Sequence, residues 1–246
     1  MVSSINHLLA VARSGMLTQL LDLDMVSNNL ANVNTVGYKS NRSNFQELLN
    51  AQFKNGVQLR STQMIWEQGT LQQSDNDFDL AIDGNGFFAV TLPDGRTAYT
   101  RNGVFSKDAN GQIVTADGYP LVWDGTLPED ATDFHVNQDG SVMAMQNGEW
   151  TQIGTIQITK FINPNGLKIY SNSLFLESEL SGAAETGQAN SEGYGKIIGN
   201  ALEASNANVA DEITQMITLQ RSYQMSVRAF QTTDTMIQQA IRMRKL

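Results

Sequence analysis

The residues of this chain that can do chemistry are few, and their spacing speaks against catalysis. Asp75, Asp77 and Asp79 alternate as the first ligands of a calcium loop would. Such a loop also needs a glycine at its sixth position for the sharp turn and a bidentate glutamate at its twelfth. Leu80 and Gly86 stand there instead, so these acids read as solvated turn residues. Gly84-Asn85-Gly86-Phe87-Phe88-Ala89 has the outline of a dinucleotide fingerprint. It opens a strand-like run, however, and a fingerprint must open a helix whose N-terminus receives the pyrophosphate. His7 and His135 have no companion at metal-ligand spacing, and the chain has no cysteine. That removes thiolate nucleophiles, cysteine-ligated zinc and disulfides, and a serine–histidine dyad would lack any supporting motif. No catalytic, metal-binding or cofactor-binding residue is assigned, and the expected protein is not an enzyme.

The elements around these residues carry a stronger signal. Near the C-terminus, Val209, Ile213, Met216, Tyr223, Val227, Phe230, Ile237 and Ile241 step by four and three, with Gln220 and Asp234 as the breaks. A seven-residue repeat is the period of a helix that buries a narrow seam against another helix. Neither proline nor glycine interrupts Ala201 to Leu246, so a helix on the order of 50 Å is expected, and one that long needs a partner in water. The N-terminal segment supplies one: Ile5, Leu8, Leu9, Ala12, Met16, Leu20, Leu23, Val26 and Leu30 share a helical face, with Ser3 or Ser4 as N-cap. Gly15 is either a weak point or a mark of close helix approach. Ile217, Met225, Ala229, Met236, Ala240 and Met243 lie off the C-terminal seam. That is more apolar surface than one partner helix covers, which points to further partners from other chains; two surface helices on an ordinary core are the plainer alternative.

After the first helix, an asparagine-rich stretch ending in Gly37 reads as helix termination and turns, with Gly37 at positive φ. Phe45, Leu48, Leu49 and Phe53 have helical spacing, and Gln58 to Gln73 reads as extended. From Asp79 the period becomes two. Runs at Asp79–Asp83, Gly86–Leu92, Thr97–Arg101, Gln112–Ala116, Phe134–Val136, Ser141–Gln146 and Thr155–Phe161 alternate with nine Asx-Gly pairs between Asp83 and Gly148. Asx-Gly between strands is the strongest short hairpin signal, so this region is expected to be antiparallel. Trp66, Trp123 and Trp150 are scattered and expected in the core. Ser181 to Gly195, small and polar, reads as a linker.

The expected fold class is α+β: N- and C-terminal helices paired as an α-helical coiled coil, with a central antiparallel β-domain, a sandwich or irregular barrel, between them. The expected divisions are a first helix at 1–35, a part-helical and part-extended connection at 36–75, the β-domain at 76–180, a return linker at 181–200 and the second helix at 201–246. The net charge is −9, and Glu67 to Glu149 holds 14 acids against 3 bases, a net of −11. This balance excludes a nucleic-acid partner, which needs a basic footprint, and marks the middle as a solvated exterior. No apolar run approaches a membrane span, and the first thirty residues do not read as a cleaved secretory signal.

Three stretches resemble one known family. Asn28-Asn29-Leu30-Ala31-Asn32-Val33-Asn34-Thr35-Val36-Gly37-Tyr38-Lys39 is the first. Asp79-Leu80-Ala81-Ile82-Asp83-Gly84-Asn85-Gly86-Phe87-Phe88 with Tyr99-Thr100-Arg101-Asn102-Gly103-Val104-Phe105 is the second. The third is Leu202-Glu203-Ala204-Ser205-Asn206-Ala207-Asn208-Val209-Ala210-Asp211-Glu212 with Gln220-Arg221-Ser222-Tyr223. Together, in this order, they resemble the bacterial flagellar basal-body rod and hook family, closest to its rod proteins of FlgG or FlgF type. Many distal-rod members carry a long insertion after the first helix. Here only Leu49 to Gln68 lies between the Phe45–Leu49 cluster and Gly69, so a proximal-rod subunit stands beside the distal one.

The resemblance implies a structural axial subunit that self-assembles helically through its terminal helices into a hollow, torque-transmitting shaft. It implies export by the flagellar type III apparatus without a cleaved signal, a place in the basal body on the periplasmic side, and partners among copies of itself and other rod and hook proteins, with no cofactor. It singles out Asn28, Asn29, Leu30, Asn32, Gly37, Asp83, Gly84, Gly86, Phe87, Arg101, Gly103, Asn206, Asn208, Arg221 and Tyr223 as motif residues. From another class, the competing reading is a secreted adhesin or sugar-binding β-domain on a helical stalk.

Overall fold

The computed structural model describes residues 2–48, 56–128, 131, 133–146, 148–171 and 173–243, without the side chains of 2–11, 45–48, 56–61, 240, 241 and 243. The chain forms two compact units: one of Met1–Ala31, Ser40–Ile65 and Ala207–Leu246, the other of Asn32–Lys39 and Trp66–Asn206.

The first unit holds helix α1 (Val2–Ala31), strands β1 (Asn41–Leu48) and β2 (Gly56–Met64), and helix α2 (Val209–Met243). α1 begins before Ser3 and Ser4, which therefore lie in its first turn and not at its cap. α2 is capped by Asn208, whose side-chain oxygen accepts from the Ala210 amide at 2.9 Å, and Asp211 and Glu212 sit favourably in its first turn. The helices lie side by side and antiparallel: Asn29 meets Glu212 near one end of the contact, and Gln19 meets Ser226 farther along. β1 and β2 pair as an antiparallel hairpin with a bulge at Asn44/Phe45. The helical spacing of Phe45 and Leu48 thus gives a strand, because pairing with β2 settles what a short apolar run leaves ambiguous. Leu49 and Phe53 lie outside the described residues.

The second unit is antiparallel throughout. One four-stranded sheet runs in the order Asp133–Val136, Ser141–Gln146, Glu149–Thr155, Asp124–Gly125; another in the order Lys168–Ser171, Leu174–Leu176, Thr97–Thr100, Phe88–Thr91. Strand pairs join Gln157–Lys160 to Glu185–Gln188, Phe105–Lys107 to Ile113–Thr115, Lys196–Gly199 to Leu80–Asp83, and Ala201–Glu203 to Leu71–Gln73. The stretch expected as a return linker therefore carries two strands. Its small, polar residues turn closely and pair through their backbone, and Ala189 and Ile197 within it join the core. Ala201–Glu203 is likewise a strand, and α2 starts only at Val209. A single core contains Leu80, Phe88, Val90, Val142, Ile156, Ile158 and Ile197, all fully buried. Trp123 packs partly buried against it. Trp150, expected in the core, is 47 % exposed at an outward position of its strand.

Candidate assembly site

The expected seam is only half realised in the contact of α1 with α2. The residues of α2 that lose exposure are Glu212, Met216, Leu219, Ser222, Tyr223, Ser226, Val227, Thr233 and Ile237, while Val209 and Ile213 stay exposed and Phe230 is at the margin. Glu212, Met216, Leu219, Tyr223, Ser226, Thr233 and Ile237 keep the four-and-three step, with the alternate position moved by one residue. Reading the seam by apolarity alone selected Ile213 over Glu212 and missed Leu219. The breaks at Gln220 and Asp234 vanish in the observed register, where Leu219 and Thr233 take their places. On α1, Ala12, Met16, Leu23 and Leu30 are half-buried and Val26 is buried, but Leu20 is exposed with Leu17 and Leu21. A Cβ on Gly15 would meet open space, so close helix approach does not explain that glycine. Ile5, Leu8 and Ile241 belong to the helices, and their side chains lie outside the described residues.

Polar groups hold this seam. Asn29 is buried; its amide donates to the Asn41 carbonyl at 3.0 Å and to a Glu212 carboxylate oxygen at 3.1 Å, and its oxygen accepts from the Asn41 amide at 2.9 Å. One side chain thus ties the end of α1 to the start of β1 and to α2. Ser226 donates to Gln19 at 3.2 Å, and Ser43 donates to Asp22. Burial raises the Glu212 carboxyl above its usual range, against the Asn29 bond and with the charge of Asp211; burial also raises Asp22, against its bond from Ser43. Asn28 and Arg221 are exposed, and Tyr223 is half-buried.

Of the remaining motif residues, Gly37, Gly84, Phe87 and Arg101 meet in the second unit at a buried ion cluster. Glu203, 1 % exposed, accepts from Lys39 at 2.6 Å, from the Gly69 amide at 2.9 Å and from Arg101 at 3.3 Å. Lys39 also donates to the Glu67 carbonyl, and Arg101 to the carbonyls of Ile82 and Gly84. The Arg101 guanidinium lies over the Phe87 ring, 5.4 Å from its centroid. Burial pushes the Lys39 ammonium below the usual lysine range; Glu203 opposes that shift and Arg101 adds to it.

The glycines make the close approaches possible. Gly37 has φ +68, donates to the Glu203 carbonyl at 2.7 Å, and would bring a Cβ to 2.5 Å from the Arg101 backbone. A Cβ on Gly103 would collide with the Leu80 carbonyl; Gly84 and Gly86 also have positive φ. Asn32 accepts from the Thr35 hydroxyl in the turn after α1, Asn206 donates to the Glu67 carbonyl, and Asp83 pairs with Lys196 at 3.2 Å. Lys39 and Glu203 both stand inside the quoted motifs but were not singled out.

The one amine of this arrangement, Lys39, is buried and held by Glu203 and the Glu67 carbonyl, and among the described residues no cluster of metal-ligating side chains exists. What it does is lock backbone segments from three parts of the chain.

Residues 9–39 match the family described as flagella basal body rod protein, 81–144 the flagellar hook protein FlgE/F/G D1 domain, and 198–243 the flagellar basal body rod FlgEFG protein C-terminal family. The flagellar basal-body rod protein FlgG of Caulobacter vibrioides is 40% identical over 96% of this chain and 98% of its own length. The FlgG of Bacillus subtilis is 34% identical over 94% and 97%, and the flagellar hook-basal body complex protein FlhP of the same organism 30% identical over 87% and 91%. With matches to the first helix, the central β-region and the C-terminal helix in one order, and FlgG relatives aligned along nearly its full length, the chain belongs to the flagellar basal-body rod protein family.

Proposed function

We propose that this chain is a structural axial subunit of the flagellar basal-body rod, of the distal type, and not an enzyme; its similarity to FlgG proteins along nearly its full length supports this. The family match favours this over an adhesin on a stalk. In this reading the terminal helices build a helical, hollow shaft with copies of the chain and with other rod and hook proteins, pairing as coiled coils in the lattice. The subunit reaches the periplasmic side of the basal body through the flagellar export apparatus with no cleaved signal.

One observation carries the assembly part: the helices of the first unit leave large apolar side chains in water. Met225 is 63 % and Met236 64 % exposed, and Ile213, Ile217, Leu17, Leu20 and Leu21 are exposed beside them. Isolated exposed apolar residues are ordinary, but repeated ones along two long helices mark an interaction surface. The inward seam mixes Met216, Leu219, Tyr223 and Val227 with the polar Glu212, Ser226 and Thr233, while large apolar side chains that could have joined it stand outward. Ile213→Asp and Met225→Asp test this. Each should leave monomer stability within about 0.5 kcal/mol, as surface substitutions do, and abolish assembly in sedimentation and in a motile cell. Normal assembly of both variants would remove these faces from the interface.

A further inference from the structure

The outer side of α2 carries two thioethers that packing within its own unit leaves in water. Met225 is 63 % and Met236 64 % exposed. Met16, Met25, Met64, Met143, Met145 and Met216 are half-buried, so these two alone are exposed among the methionines whose side chains are described. Eleven residues make about three helical turns, which sets both on one side of α2, about 16 Å apart along its axis. Ala229 and Thr232 fall between them in steps of four, three and four, and both are exposed. Thr232 donates its hydroxyl to the Arg228 carbonyl at 2.9 Å, so the helix already meets that donor. The result is a stripe with the spacing of a helix contact, separate from the inward seam of Glu212, Met216, Leu219 and Tyr223.

A thioether on such a stripe has a chemistry that leucine and isoleucine lack. Its sulfur lone pair attacks one oxygen of a hydroperoxide; an S–O bond forms as the O–O bond breaks. The sulfur loses two electrons, and with hydrogen peroxide the other oxygen leaves as water. The product is a sulfoxide, which turns a flexible apolar side chain into a polar one. Its oxygen is a strong acceptor, and an apolar contact surface offers that acceptor no donor. We propose that Met225 and Met236 form an oxidation site for hydroperoxides, through which sulfoxide formation stops the free subunit from assembling and reduction restores it. The modification rests on the exposure of the two thioethers; its effect on assembly rests on the reading of this helical surface as a subunit contact. Leu17, Leu20, Leu21, Ile213 and Ile217, exposed on the same two helices, have no sulfur to oxidise. Oxidant sensitivity of the surface therefore concentrates at these two positions.

The test separates the modification from its consequence. The full-length monomer is treated with dilute hydrogen peroxide, and the mass of each methionine-containing peptide is followed with time. Met225 and Met236 should gain one oxygen several-fold faster than the six half-buried methionines; equal rates overturn the site. Assembly is then measured by sedimentation. Oxidation of both positions should raise the concentration needed to assemble roughly tenfold, the effect of leaving a buried acceptor unmet. An oxidised chain that assembles like the untreated one overturns the switch. Methionine sulfoxide reductases for both epimers should restore the masses and assembly together; masses restored without assembly also overturn it. Met225→Leu combined with Met236→Leu keeps the apolar volume and removes both sulfurs, and this variant should assemble equally well before and after peroxide. Peroxide sensitivity equal to that of the unaltered chain assigns the effect to other residues and overturns the proposal. If the untreated, unaltered chain fails to assemble, the assembly reading falls and the switch with it, while the peptide masses still judge the oxidation site.

Discussion

The two units of this chain solve opposite problems. The β-rich unit closes on itself: its core side chains are buried, its buried Lys39, Arg101 and Glu203 bond to one another and to backbone of the same unit, and its glycines let backbones touch where a side chain would not fit. The helical unit buries a seam of mixed character, with Glu212, Ser226 and Thr233 among Met216, Leu219, Tyr223 and Val227, and leaves Ile213, Ile217, Met225 and Met236 exposed. A domain that must stand alone in water places its apolar groups inward, as the first unit's neighbour in sequence does. A segment made for a lattice can spend its apolar surface on partners not yet present. The difference therefore separates what this chain needs to fold from what it needs to assemble.

The comparison breaks most sharply at Glu203. Glu203→Ala leaves Lys39 and Arg101 buried side by side with no counterion, and removing one partner of a buried pair costs about 3–5 kcal/mol. That is much of the roughly 5–15 kcal/mol that holds a typical domain. Urea denaturation should show the β-rich unit largely lost, with Glu203→Gln intermediate because it keeps acceptors for Lys39 and Gly69. An alanine variant that melts like the unaltered chain would mean that the ion cluster does not hold the unit together.

Gly37 comes next. Gly37→Val forces a β-branched residue to φ +68 and drives its Cβ to 2.5 Å from the Arg101 backbone. Backbone strain of this kind costs of order 1–3 kcal/mol, before the collision is counted. Gly37→Ala should be nearly as harmful, since it brings the same Cβ; a benign alanine would show that the close approach relaxes freely. Denaturant midpoints measure both.

The same contrast explains what could be read from the residues alone. Local signals survived: Asx-Gly pairs marked turns such as Asp94-Gly95 and Asp139-Gly140, and apolar periodicity marked both helices. Partnerships across the chain did not. Nothing local says that Lys196–Gly199 completes the Leu80–Asp83 strand, or that Lys39 finds Glu203 across 164 residues. The hairpin of β1 and β2 was hidden because a short apolar run fits either period, and tertiary pairing decides between them. The seam register was misread for a physical reason too. Its inward residues include Glu212, Ser226 and Thr233, which apolarity cannot rank, while Ile213 is apolar without being inside.

The smallest effect sharpens the comparison by pH. Burial raises the Glu212 carboxyl, so the folded helical unit favours its protonated form. A carboxyl raised on folding contributes stability that is complete below the ordinary glutamate value, about 4.3, and is lost as pH rises through the folded value. One of its oxygens is buried without a partner, which makes the ionised form the costlier one. Asp22, raised by burial in the same unit, acts with the same sign. Glu212→Gln is neutral at all pH and keeps an oxygen for the Asn29 amide. The helical signal of the unaltered chain should melt at higher temperature near about pH 4 than at neutral pH, and Glu212→Gln should remove part of that difference, leaving the share of Asp22. Asp22→Asn with Glu212→Gln should flatten it further. In the β-rich unit Asp94, Asp108 and Asp139 are lowered by hydrogen bonds, a side-chain bond from Arg96, the Gln112 amide and the Ser141 hydroxyl leading in turn, so their contribution runs the other way and fades as pH falls. Opposite pH slopes for the helical and β signals of one chain are the expected outcome; parallel slopes would mean that burial does not raise the seam carboxyls in the folded helical unit.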